Sequence, residues 1–191
     1  MSKPADRTGR FLCGSMGIHA EPLGALYRFQ HGRPAERLAD GIRISNSLCF
    51  SPAGDVMYFA DSMSREIRAY DYDVDGDRIG TPRQLIDTNQ FESGPDGATV
   101  DAEGYLWVAL VRVGRLARIS PQGTVDRIID LPVDMPSCPA FGGPNLDTLF
   151  VTSIKDSGSG RAVSKHPDGG SVFALKDIGV SGFPEARFRF G

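Results

Sequence analysis

The sequence is poor in cysteine, in long apolar runs and in surplus charge, and each shortage excludes something. Its 191 residues hold three cysteines, Cys13, Cys49 and Cys138, far apart and each in or beside an apolar, strand-like run. Neither C-x-x-C nor another metal-binding spacing is present, so the expectation is three buried thiols. No apolar run approaches the ~20 residues of a membrane span. The N-terminal stretch MSKPADRTGR lacks the apolar core of a secretion signal, and a cytoplasmic location is the default expectation. With 21 Lys and Arg against 24 Asp and Glu, the net charge of -3 leaves no basic stripe for a nucleic acid. No segment carries a convincing pattern for a helix of three turns.

Glycine and proline are abundant instead. The 23 Gly and 13 Pro are spread along the whole chain, which suits many short strands joined by tight turns. With 40% hydrophobic and 24% charged residues the composition is globular, and the chain is long enough to bury a real core.

The chain also repeats itself. Residues 44–61 read ISNSLCFSPAGDVMYFAD and residues 94–110 read GPDGATVDAEGYLWVAL. Each has a polar residue, a short apolar run, a Gly-bearing turn and a second apolar run. Asn46 stands eight residues before Gly54, and Asp96 stands eight before Gly104. Four such units can be traced. The first holds GRFLCGSM, GALYRF and AERLADGI; the second NSLCFS, DVMYFAD, EIRAYDY and PRQLIDT. The third holds GATVD, YLWVALV, RLARIS and VDRIIDLP; the fourth CPAFGG, DTLFVTS and SVFAL.

Alternation in Glu66–Tyr72 sets Ile67 and Ala69 against Arg68, Tyr70 and Tyr72, while the Ile128–Ile129 pair predicts a strand covered on both faces. Ser51-Pro52-Ala53-Gly54 and Asp101-Ala102-Glu103-Gly104 have type I turn chemistry. Asp75-Gly76 and Gln122-Gly123 are hairpin signals. Units of this length with four strands each describe a β-propeller, a single domain over residues 1–191. An all-β sandwich is the alternative, but it gives Asn46 and Asp96 no reason to share a register.

In a propeller the first strand of each blade lines the central channel, so a residue just before it sits at one channel mouth. Asn46 and Asp96 then converge although fifty positions apart. Carrying the register onward places Ser137 at the same position in the fourth unit. In the first unit, aligning Gly9 with Gly104 brings the position to Met1. Each candidate also has a plainer reading: Pro95-Asp96-Gly97 alone is a turn, Asn46 alone an Asx-turn or strand end, and Ser137 a loop hydroxyl bonded to backbone. Nothing near Ser137 has the form of a nucleophile elbow. His19, His31 and His166 read as solvated loop residues. Trp107, Tyr58 and Phe150 align as core residues. The run D-Y-D-V-D-G-D at 71–77 lacks the Glu an EF-hand needs at its twelfth position, where Pro82 stands, and reads as a solvated acidic hairpin.

Taken in order, ISNSLCFSPAGDVMYFADS, GPDGATVDAEGYLWVA, GRLARISPQG, LPVDMPSCPAFGG and DTLFVTS resemble the regucalcin, senescence-marker-protein and gluconolactonase family, from about Gly9 onward. The resemblance implies a six-bladed propeller, of which about four blades are present, with one divalent cation at the channel mouth. It implies hydrolysis of small sugar lactones. It also makes Asn46 and Asp96 metal ligands, with Asp96 the general base. Ca²⁺ is the first expectation, and Mg²⁺, Mn²⁺ and Zn²⁺ are alternatives.

The chain departs from the family pattern in four places. The first blade, with its ligand Glu, is missing; so are an Arg and an Asn that contact substrate. Residues 17–19 read Gly-Ile-His where an acidic pair often stands, leaving His19 and Ser137 as weak substrate-binding candidates. Ser47 replaces the usual Gly after the ligand Asn. The alternative function is an impaired propeller fragment that binds a small ligand, an ion or a protein, with self-association through open blade edges.

Overall fold

In the computed structural model, which describes residues 4–75 and 77–190, the chain forms fifteen strands in four antiparallel sheets and one short 3-10 turn, Thr88–Phe91. The first sheet has β1 (Phe11–Gly14), β2 (Gly24–Phe29) and β3 (Glu36–Ile42). The second has β4 (Ser45–Phe50), β5 (Val56–Asp61), β6 (Glu66–Asp73), β7 (Arg78–Ile79) and β8 (Arg83–Asp87). The third has β9 (Pro95–Val100), β10 (Leu106–Leu110), β11 (Arg115–Ile119) and β12 (Val125–Asp130). The fourth has β13 (Pro136–Gly142), β14 (Thr148–Ser153) and β15 (Val172–Leu175). Strands pair in chain order within each sheet, apart from β8, which joins β6 beside β7. β9 lies against both β4 and β13, so the inner strands are neighbours around a common axis. These are the blades of a β-propeller.

The turns place the blades in register. Gly54 and Gly104 both have positive φ, 80° and 86°, and both donate to the carbonyl three residues back, Ser51 or Asp101. Only glycine takes this backbone without cost. Gly9 repeats the pattern at φ 86°, donating to Asp6. The Ala5–Phe11 bridge repeats the Val100–Leu106 pair. Asp6 Oδ1 accepts from the N–H groups of Thr8 and Arg10 as Asp101 Oδ1 does from Glu103 and Tyr105. β1 is therefore the second strand of its unit. Residues 4–5 hold the described part of the inner position, and Met1 lies outside the described residues.

Three apolar clusters fill the spaces between successive blades. Leu12, Leu26, Leu48, Met57 and Tyr72 pack between the first and second; Tyr58, Ile67, Val100 and Val108 between the second and third; Trp107, Leu116, Leu149 and Val151 between the third and fourth. As expected, Ile67 and Ala69 face one neighbour while Tyr70 and Tyr72 face the other.

Several sequence expectations need correction. Tyr58 and Trp107 are buried, but Phe150 at the matching position is 39% exposed, because among the described residues no blade packs on the outer face of the fourth sheet. Cys13 and Cys138, on the first and last sheets, are only half-buried, whereas Cys49 is buried. The outermost strand β12 simply alternates, leaving Ile128 40% exposed. The first and last sheets have three strands each rather than four. The acidic hairpin, by contrast, is as expected: Asp71, Asp73, Asp75 and Asp77 are all exposed, though Asp71 also meets Arg83 at 2.8 Å, and Asp77 meets Arg28 at 2.7 Å and also Arg10. Gly76, part of the expected Asp75-Gly76 turn, lies outside the described residues.

Candidate metal centre

The inner strands bring Asn46, Asp96 and Ser137 to one level of the channel. Each stands immediately after a residue that pairs with the end of its neighbouring strand: Ser45 with Asp61, Pro95 with Leu110, Pro136 with Ser153. Each ladder also slips in register beside the site position. Such bulges re-aim a side chain away from the sheet.

Asn46 is 7% exposed and Asp96 half-buried. Asn46 Nδ2 donates to Ser62 Oγ at 2.9 Å, and Ser62 Oγ donates to the Pro95 carbonyl at 2.6 Å. With its nitrogen so engaged, Asn46 Oδ1 is buried and has no hydrogen-bond partner among the described residues. An orphaned buried acceptor is costly unless something electropositive meets it. Asp96 answers to the same environment. Burial pushes its pKa up to about 6, while the Gly97 N–H and the Asn46 side chain pull the other way. An uncharged amide oxygen and a strained carboxylate at one level are hard donors of the kind Ca²⁺ or Mg²⁺ takes. These two residues fit a divalent cation. Among the described residues, however, no three or more His, Cys, Asp or Glu side chains group to hold one.

The backbone around the pair is tightly set. Ser47 has φ 51°, the left-handed region that a Gly would occupy freely, and its Oγ donates to the Asp96 carbonyl at 2.6 Å. Gly97 is needed for space: a Cβ there would lie 2.6 Å from Cys138 Sγ and 2.7 Å from the Ser137 carbonyl.

Ser137 reaches the expected level, but its hydroxyl is shared with Thr152 Oγ1 at 2.7 Å. His19 does not join the pair. It is exposed in the loop after β1, its N–H donating to Glu21 Oε2 and its carbonyl accepting from Arg161 Nη1 at 2.6 Å. His31 is exposed, and His166 lies in a loop beside Asp168, whose N–H donates to its Nδ1. Sequence reasoning missed Ser62, whose position right after the second strand of the Asn46 unit was the available signal. A cavity of about 630 Å³ between Glu103, Asp147 and Lys176 lies at the turn end of the blades, away from Asn46 and Asp96.

Four antiparallel blades stacked about one axis define a β-propeller. The family model described as SMP-30/Gluconolactonase/LRE-like region matches residues 4–155, and the chain belongs to that family. It is 32% identical to regucalcin of Bos taurus over 186 residues, 94% of this chain and 62% of that protein. Among solved structures, a calcium-binding regucalcin from Agrobacterium tumefaciens superposes with TM-score 0.87 at 30% identity, covering 98% of this chain and 64% of that one. A luciferin-regenerating enzyme gives TM-score 0.86 at 32% identity, with the same coverage. The chain thus spans less than two-thirds of the length of these relatives. No helix among the described residues is long and apolar enough to cross a membrane.

Proposed function

We propose that this chain is a metal-dependent hydrolase of small sugar lactones, with Asn46 and Asp96 holding one divalent cation, Ca²⁺ before Mg²⁺, Mn²⁺ or Zn²⁺. The observation that carries the reading is the buried Asn46 Oδ1, without a partner among the described residues, at the same level as the Asp96 carboxylate. Membership of the gluconolactonase-like family supports the reaction class. A cation bound there would supply Lewis-acid polarisation of the lactone carbonyl. Asp96 orients a water and accepts its proton, a task suited to a carboxyl whose pKa is pushed towards neutrality. The water oxygen adds to the carbonyl carbon, the ring C–O bond breaks, and the Asp96 proton passes to the departing alkoxide to give a hydroxy acid. Asn46 adds an oxygen without charge, and Ser62 fixes its orientation.

A second reading, a binding module with little turnover, is favoured by one observation. Among the described residues only one carboxylate meets the amide, whereas Ca²⁺ takes about 6–8 oxygens, so most positions would fall to water. A Ca²⁺ titration by calorimetry, paired with pH-stat assay of an aldonolactone, separates the two. Binding with turnover lost in Asp96→Asn supports the hydrolase, and binding without turnover supports the module.

A further inference from the structure

Strand arginines in this protein are matched with carboxylates: Arg28 with Glu36, Arg115 with Asp130, Arg118 with Asp101. The arginines of the loops on the Asn46 side are not. Neither Arg112 nor Arg161 has a carboxylate partner at ion-pair distance among the described residues.

Arg161 is nonetheless held in place. It lies in the long loop between β14 and β15, and there the mouth loops of all four blades meet. Its Nη1 donates to the His19 carbonyl of the first blade, and its Nη2 approaches Met63 Sδ of the second at 3.9 Å. Its own carbonyl accepts from Arg112 Nη2 of the third blade at 2.7 Å. Met63 directly follows Ser62, which binds Asn46, so the guanidinium is tied to the edge of the candidate centre. Glu21 lies within electrostatic reach, but its Oε2 is taken by the His19 N–H. The acceptors Arg161 does use, a carbonyl and a thioether, are neutral, and its Nε meets no acceptor among the described residues. A guanidinium so oriented keeps its full charge and its preference for a planar oxyanion.

We propose that Arg161 is a specificity-determining residue that receives a carboxylate carried by the substrate, which makes that substrate a lactone with a free acid group rather than a neutral lactone. The inference rests on the lactonase reading for the site but names its substrate class. Arg112, beside Arg161, adds to the positive potential that steers an anion to the mouth.

The test uses a γ-lactone carrying a carboxylate and its neutral methyl ester, with Ca²⁺ present. Binding is measured by calorimetry or ligand-observed NMR, so turnover is not required. The acid should bind at least about tenfold more tightly than the ester, and the margin should shrink with added salt. Arg161→Gln should remove most of that margin while leaving ester binding and the unfolding midpoint unchanged, and Arg161→Lys should restore part of it. Equal binding of acid and ester, binding of neither, or an equal loss for both in Arg161→Gln overturns the inference. Selective binding of the acid without hydrolysis leaves it standing and sinks the lactonase reading instead.

Discussion

Ser47 Oγ donates a 2.6 Å hydrogen bond to the backbone carbonyl of Asp96, joining the second blade to the third beside the candidate centre. Ser47 is fully buried and holds φ 51°, so two opposing effects meet in one residue. The left-handed backbone costs about 1–2 kcal/mol for a residue with a Cβ, while a buried hydrogen bond returns about 1 kcal/mol.

Substitution at Ser47 separates these effects. Ser47→Ala keeps the strain and orphans the Asp96 carbonyl, so it should destabilise by about 1–2 kcal/mol. Ser47→Gly loses the same bond but relieves the backbone, and should lie within about 1 kcal/mol of the parent. Urea unfolding of the three proteins checks the order; Gly falling below Ala would contradict it.

Cation binding should depend on the two site residues unequally. Asp96→Asn removes the only charge of the pair and should weaken Ca²⁺ binding by more than about tenfold. Asn46→Ala removes a neutral oxygen and should cost less. Terbium luminescence or calorimetry reads both, and an unchanged affinity in Asp96→Asn would remove Asp96 from the centre.

The pH dependence follows from the sign of the Asp96 shift. Its folded pKa is raised to about 6 from 3.8, so the carboxylate form is disfavoured by folding. Without a cation, stability should fall as pH rises through that window, and Asp96→Asn should flatten the dependence. With Ca²⁺ present, protons compete for the same oxygen, so affinity should fall as pH drops below about 6. Chemical unfolding and Ca²⁺ titration between pH 4 and 7, in buffers of constant ionic strength, test both halves.

Asp101 holds the turn end of the third blade. It is fully buried and accepts from Arg118 at 2.8 Å, from Trp107 Nε1 at 2.9 Å and from two backbone N–H groups. Asp101→Ala leaves the Arg118 charge, itself 3% exposed, short of its buried partner and should cost about 3–5 kcal/mol. Thermal unfolding should show it as a far larger loss than Asp130→Ala, whose pair with Arg115 is exposed.

Much of the fold is legible in the chain because its causes are local. Gly54 and Gly104 mark turns that need positive φ, and the apolar runs beside them fix the strands. The spacing from those turns places Asn46 and Asp96 at one level, and aligning residues 149–151 with 106–108 adds Ser137. Alternation likewise divided Ile67 and Ala69 from Tyr70 and Tyr72. Phe150 shows where such local reasoning stops: its strand position equals that of buried Trp107, but burial also depends on whether a blade packs against it.

By itself, then, the sequence determined the repeat and the register that sets Asn46 and Asp96 at one level, since both follow from side-chain period and turn chemistry within one unit. Only the tertiary structure decided that Ser62 takes the Asn46 nitrogen and leaves its oxygen bare, that Ser47 ties Asp96 to the next blade, and that Arg161 lies where four loops meet. These contacts join residues 16 to 142 positions apart in the chain, within a blade for Asn46 and Ser62 and between blades for the rest. They exist because the sheets stack about an axis, and a period read along the chain carries no information on which side chains that stacking brings within 3 Å of one another.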